Sequence, residues 1–179
     1  MKPSTIEVMK VTLINLHEDQ AEVLAELANN KNIWDNVRDF FPHPFTTLDA
    51  VDFIMKQKLN EPATHLAIYY GDDFTGVIGI DPMKDVFRKT GYIGYWIGEP
   101  YWGKGIATKA IQLMTDYGFQ TLELIKIQAG VFGHNMASMR VLEKAGFKLE
   151  GNLGKAAIKN EQIVDDLIYG MVNPKYRSE

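Results

Sequence analysis

The stretch "GEPYWGKGIATKA" runs from Gly98 to Ala110. It follows the apolar run "GYIGYWI" (91–97) and leads into an amphipathic segment, so it joins a strand to a helix. The first amide N–H groups of a helix have no partner within it, and the macrodipole adds partial positive charge there. Gly103 and Gly105 carry no Cβ to keep an anion away from that backbone. A phosphate or pyrophosphate site is therefore physically reasonable. Gly98, Gly103 and Lys104 also make up most of a Walker-type nucleotide loop. That loop needs Ser or Thr directly after the lysine to hold Mg²⁺. Gly105 stands there instead, which disfavours nucleotide hydrolysis. The simpler alternative is a glycine-rich turn that only starts a helix.

Outward from this junction the chain reads as alternating elements. "KVTLINL" (10–16) alternates like a strand. Ala21, Leu24, Ala25 and Ala28 recur at helical spacing in 17–30, and 32–40 reads as a short second helix. The prolines of "FPHPFT" (41–46) make a loop. A helix over 47–59 follows, with Thr47 as cap and Leu48, Val51, Ile54 and Met55 as its apolar stripe. The period then falls to two in "THLAIYYGD", "FTGVIGID" and "YIGYWIG". Residues 104–119 read as a helix, 124–132 as a strand, and 135–146 as a helix capped by Asn135 and stopped at Gly146. The remainder reads as a closing hairpin with Lys159, Asn160 and Glu161 at its tip. This order predicts an α+β domain around one mixed sheet, filling the whole chain, 1–179.

Composition bounds the function. The 179 residues are 46% hydrophobic and 23% charged, with net charge −4. A nucleic-acid binder would show clustered basic residues, so none is expected as a partner. No apolar run is long enough to cross a membrane, and residues 1–20 lack a leader-like stretch, so a cytoplasmic location is expected. Without cysteine there is no disulfide and no thiol nucleophile. The histidines lack metal-ligand spacing, and no metal is expected. No segment dictates an oligomeric state.

"YWGKGIATKAI" resembles the acetyl-coenzyme A pyrophosphate loop of the GNAT N-acetyltransferases. Their pattern of Gln or Arg, two residues, Gly, one residue, then Gly or Ala falls on Trp102, Gly103, Lys104, Gly105, Ile106 and Ala107. Trp102 departs from Gln/Arg, as is usual in the branch that acetylates ribosomal-protein N-termini. The second signature, Asn-x-x-Ser followed by Gly-Phe, falls on Asn135, Ser138, Gly146 and Phe147. "FPHPFTTLDAVDFI" and "GKAAIKNEQIVDDLIYGMV" also look like that branch, so the resemblance covers nearly the whole chain.

The resemblance implies the GNAT fold, a mixed and mostly antiparallel sheet flanked by helices. It also implies direct transfer of acetyl from acetyl-CoA to a primary amine: a protein or peptide N-terminus, a polyamine, an amino acid or an aminoglycoside. A non-catalytic acyl-CoA-binding module is the alternative. Backbone groups of Gly103 to Thr108 would hold the pyrophosphate, with Lys104 nearby. A bulge compatible with Gly94 and Gly98 would free backbone groups of Tyr95, Trp96, Ile97 and Gly98 for the pantetheine amides.

Ser138 would protonate the leaving thiolate, or would simply bond its own helix backbone. Asn135 would cap its helix, stand beside the coenzyme, or both. The attacking amine must lose a proton, which requires a base. Glu99 is the acid closest in sequence to the reactive strand end, and Asp81 is a rival on an adjacent strand. His43, Asp81 and Tyr169 are the candidates for lining the acceptor cleft. A surface loop histidine and a core tyrosine with a wet hydroxyl are the simpler readings of His43 and Tyr169, and a charge at a loop start is that of Glu99. Asp165 and Asp166 would attract an amine or solvate a strand edge.

Overall fold

A computed structural model describes residues 10–176. The reading of the first nine residues as free of a leader lies outside them. The elements in chain order are β1 (Val11–Asn15), α1 (Ala21–Ala28), α2 (Lys31–Trp34), α3 (Thr47–Gln57), β2 (His65–Tyr70), β3 (Asp73–Pro82) and β4 (Thr90–Ile97). There follow α4 (Ile106–Gln120), β5 (Lys126–Phe132), α5 (Met136–Ala145), β6 (Lys148–Lys159) and β7 (Gln162–Val172). The strands form one sheet in the order β1-β2-β3-β4-β5-β7-β6. Every pairing is antiparallel except β4 with β5.

The sheet buries both faces, as the strands' apolar runs predict. On one face α4 and α5 pack Ile106, Ala110, Ile111, Met114, Met139 and Leu142 against Leu66, Ile68, Ile78, Ile80, Ile93, Ile97 and Ile127. On the other, α1 and α3 pack Leu24, Ala28, Ala50 and Ile54 against Ala67, Phe74 and Val77. Alternation along each strand assigns side chains to these two faces.

Three local readings change. α3 is capped by Thr46, one residue before the expected Thr47. Its Oγ1 accepts from the Asp49 amide at 3.2 Å, and the Asp49 carboxylate accepts from the Thr46 amide at 2.8 Å. The expected α3 stripe is rotated: Leu48 and Met55 are exposed, and Ala50 with Ile54 forms the buried contact. The expected helix over 32–40 is the single turn of α2. Asn135 and Gly146 do delimit α5, with Gly146 left-handed at φ 99°. The hairpin tip turns on Asn160 and Glu161, both at positive φ.

Candidate active site

The β4–β5 pairing lasts three residues, Thr90 to Tyr92 against Lys126 to Gln128. Beyond it the two strands part. On its other edge β4 stays in register with β3 through Ile97, so the strands separate without the bulge expected in β4. Two bonds fix the alternation along that ladder. The Gly98 amide donates to the Thr75 carbonyl at 2.7 Å, and the Met83 amide to the Thr90 carbonyl at 2.8 Å. Tyr92, Gly94, Trp96 and Gly98 therefore spend their backbone groups on β3, while Tyr95 and Ile97 turn theirs toward β5 and the gap. The Trp102 indole N–H donates to the Ile97 carbonyl at 2.7 Å. The groups left open in the gap are the Tyr95 N–H and C=O and the Ile97 N–H. Of the four residues expected to offer backbone groups here, Trp96 and Gly98 do not.

The open end of the gap leads to the N-terminus of α4. Gly103 and Gly105 both hold φ at +75°, a conformation that glycine adopts without strain. A Cβ on either would meet no atom within 4 Å, so the loop presents bare backbone outward. Gly105 caps α4 with no side-chain acceptor. The amides of Ile106, Ala107 and Thr108 precede the first helical bond, from Lys109 to Gly105. The Ile106 side chain is core, so that residue offers only its amide. The Lys104 ammonium lies 5.2 Å from the Tyr101 ring centroid. A helix end with two bare glycines has the geometry to receive an anion.

Ser138 stands in the first turn of α5. Asn135 Oδ1 accepts from the Ser138 amide at 3.1 Å, so the cap serves the backbone. The Ser138 hydroxyl meets the Tyr95 hydroxyl at 2.9 Å. Burial pushes the Tyr95 phenol up to about 12, so it stays protonated. α5 and β4 thus bring two hydroxyls together beside the open backbone of β4.

Residues 10–148 match the acetyltransferase (GNAT) domain model. The chain is a GNAT acetyltransferase. Among relatives of this GNAT enzyme, "Probable N-acetyltransferase YjcK" of Bacillus subtilis is 32% identical over 166 residues, 84% of this chain and 91% of that one. The spermidine N(1)-acetyltransferase of Escherichia coli K12 is 26% identical over 144 residues, 80% of this chain and 75% of that one. The solved structure of microcin C7 self-immunity acetyltransferase MccE, with acetyl-CoA and AMP, is 33% identical with TM-score 0.77, covering 96% and 98% of the two chains. RimL, a ribosomal alpha-N-protein acetyltransferase solved with coenzyme A, shares the fold at TM-score 0.78 and 23% identity, covering 93% and 96%.

The remaining candidates scatter over this GNAT frame. The Glu99 carboxylate accepts from Asn30 Nδ2 at 2.6 Å and from Asn32 Nδ2 at 3.1 Å. These bonds hold Glu99 below the usual carboxylate range, the wrong direction for a base. Asp81 pairs with Tyr92 at the closed end of the gap, roughly 17 Å along β4 from Ile97. Its carboxylate turns away toward His65 Nε2, 3.9 Å distant. Tyr169 is 2% exposed on the α5 face, where its hydroxyl donates to Glu143 at 3.1 Å. It is a core tyrosine and does not line an open cleft. His43 is exposed on the α1–α3 side of the sheet, stacked on Trp34 at 5.5 Å. Among the described residues no group of three or more His, Asp or Glu converges as a metal site, and no helix is long and apolar enough to cross a membrane.

Sequence reasoning did not find the Tyr95 partner of Ser138 or the asparagine clamp on Glu99. The period-two alternation already placed Tyr95 and Ile97 on one face. Only the ladder's register shows which backbone groups are spent.

Proposed function

We propose that this GNAT enzyme, acting through one catalytic domain over 1–179, transfers acetyl from acetyl-CoA directly to a primary amine. The observation that carries the reading is the gap itself. It runs from the bare α4 N-terminus past the open Tyr95 and Ile97 backbone to the Ser138 hydroxyl. Amides of Gly103 to Thr108, with Lys104 beside them, would hold the pyrophosphate. The open β4 groups would pair with the pantetheine amides, taking the place that β5 vacates. An N–H on this edge would donate to the carbonyl oxygen as negative charge develops there. Ser138 is placed to protonate the leaving sulfur, with Tyr95 donating to Ser138. Glu99 is not carried forward as base, because both its oxygens are occupied and its proton affinity is lowered.

The chain's relatives act on spermidine and on ribosomal protein by name, which supports a small amine or a protein N-terminus as acceptor. The absence of cysteine fits direct attack, since no thiol is there to carry an acyl-enzyme, and a cytoplasmic location is part of this reading. The test is an amine panel with acetyl-CoA, read by thiol release and product mass. Acetylated amine supports the reading. Saturable acetyl-CoA binding with no acetylated amine from any class would instead make this a binding module.

A further inference from the structure

Beyond Tyr92 and Gln128 no ladder pairing joins β4 to β5 among the described residues. Another connection must set the width of the gap there. At this end the sheet is two halves, β1-β2-β3-β4 and β5-β7-β6. β5 stays with its own half throughout. It pairs with β7 through Phe132, and the Gly133 amide donates to the Asp165 carbonyl at 2.9 Å. The Asp165 carboxylate is spent within the hairpin, on the Lys155 amide at 2.8 Å and on Asn152 at 3.2 Å.

α2 and the residues after it, 30–39, touch both halves. One end is bound to the β4 side. Glu99 stands two residues past the end of β4. Its Oε2 accepts from Asn30 Nδ2 at 2.6 Å and from Asn32 Nδ2 at 3.1 Å. Asn30 uses both ends of its amide. Oδ1 accepts from the Asn32 and Ile33 amides and caps α2, while Nδ2 binds Glu99. Beside this bond a Cβ at Gly98 would lie 2.9 Å from Leu27 Cδ2, so α1 packs directly on the strand end. The other end is bound to the β5 side. The Asp35 carbonyl accepts from His134 Nε2 at 3.3 Å, and the Asp35 carboxylate from Asn160 Nδ2 at 2.9 Å. The Lys159 ammonium donates to Asp39 at 2.6 Å. Between these ends Arg38 lies over the Tyr92 ring of β4, 4.8 Å from its centroid, and faces Asp166 of β7.

We propose that residues 30–39 are a cross-tie that fixes the spacing of the parted strands, and that Glu99 is a positioning residue whose carboxylate anchors this tie on the β4 side. The proposal rests on the N-acetyltransferase reading and deepens it. Each anchor lies beside a group that the reaction needs. Glu99 closely follows Ile97, whose N–H stands open in the gap. His134 directly precedes Asn135, the cap of the helix that carries Ser138. The tie therefore sets the distance from the open β4 edge, where the thioester would lie, to the hydroxyl that meets the leaving sulfur. It also keeps the Tyr95 hydroxyl within reach of Ser138, 2.9 Å away across the gap. The bare start of α4 lies outside the tied span, so the grip on the coenzyme phosphates does not depend on it.

Steady-state kinetics on Glu99→Leu, Glu99→Gln and the paired variant Lys159→Met with Asn160→Gly test the tie, with acetyl-CoA affinity by calorimetry on each. Glycine replaces Asn160 because that residue holds positive φ. Glu99→Leu should lose roughly 10–10²-fold in kcat by misplacing the reacting groups, at wild-type acetyl-CoA affinity. Glu99→Gln should stay within roughly 3-fold of wild type, because one amide oxygen can accept from both asparagines as Oε2 does. The paired variant should also lower kcat. Combined with Glu99→Leu, its loss should fall well short of the product of the two, since both cuts sever one tie. Glu99→Gln as impaired as Glu99→Leu would make the carboxylate a proton carrier and overturn the tie. Wild-type kcat in Glu99→Leu, losses that multiply in the combination, or an acetyl-CoA affinity that falls with kcat would overturn it as well. Each of these leaves the N-acetyltransferase reading intact. Failure of wild type to acetylate any amine overturns that reading and the tie with it.

Discussion

Ser138 divides its labour between two atoms. Its amide is satisfied by Asn135 at 3.1 Å, and its hydroxyl is left for Tyr95 at 2.9 Å. A serine that only served its helix would turn its own hydroxyl to the backbone. Ser138→Ala should therefore lower kcat by roughly 10²–10⁴-fold while leaving acetyl-CoA affinity unchanged. The deficit should widen above about pH 8.5, where a bare thiolate takes a proton from solvent less readily. Asn135→Ala gives the contrast: a loss of about 0.5–2 kcal/mol in stability from the missing cap. Denaturant unfolding and steady-state kinetics on the two variants separate these effects. The capping role of Asn135 was legible in the sequence, because cap residues announce themselves by type and position. The surroundings of Glu99 were not. Chain proximity to the strand end favoured it as base over Asp81, but both its oxygens accept from asparagines 67 and 69 residues away.

The β6–β7 hairpin fastens the far side of the site. At its tip the Lys159 side chain is 1% exposed, its ammonium 2.6 Å from Asp39 and 3.6 Å from the Trp34 ring centroid. Asn160 Nδ2 adds a bond to Asp35 at 2.9 Å. The hairpin thus grips the end of α2, where Trp34 stacks on His43, and the segment after it, which carries Asp35 and Asp39. Asp39 remains mostly hydrated, so removing the lysine strands no buried anion. What is lost is the desolvated cation–π contact, about 2 kcal/mol, together with the packing of the stem. Lys159→Ala should cost about 1–3 kcal/mol in urea unfolding. Lys159→Met should restore the packing share alone; full restoration would mean that the charge contributes nothing. At this scale the sequence showed the hairpin and its tip but not the clasp. An ammonium on a strand end reads as solvated until the partner segment is in place. The misread α3 stripe has a related cause. Ala50 is too small to mark a core face, yet it lets α3 approach closely, while the larger Leu48 and Met55 lie outside.

For the molecule as a whole, stability should depend on pH through His65. Its ring lies between Phe53, at 5.8 Å, and the backbone of Gly79. Burial lowers its proton affinity; Asp81 opposes this and Lys56 reinforces it. A histidine whose folded proton affinity is depressed binds protons more readily when unfolded. The resulting stability is complete above the unfolded value, about 6.5, and is lost as pH falls below it. Melting curves from pH 8 down to about pH 5 should show that loss, and His65→Gln should flatten it. The architecture itself was readable because the hydrophobic period changes cleanly from 3.6 to 2 and back, and the bare start of α4 because two glycines flank a lysine there. The separation of β4 from β5 was expected with a bulge and occurs without one. Its consequence reaches beyond catalysis. A seven-stranded sheet ordinarily has two edges, and this one carries two more in its middle. The Tyr95 and Ile97 amides, central in the sheet, should exchange with deuterium as fast as those of a peripheral strand in the free enzyme. They should become protected when acetyl-CoA is added. The donor would then act as the missing rung of the sheet, and the enzyme would be most cohesive when loaded.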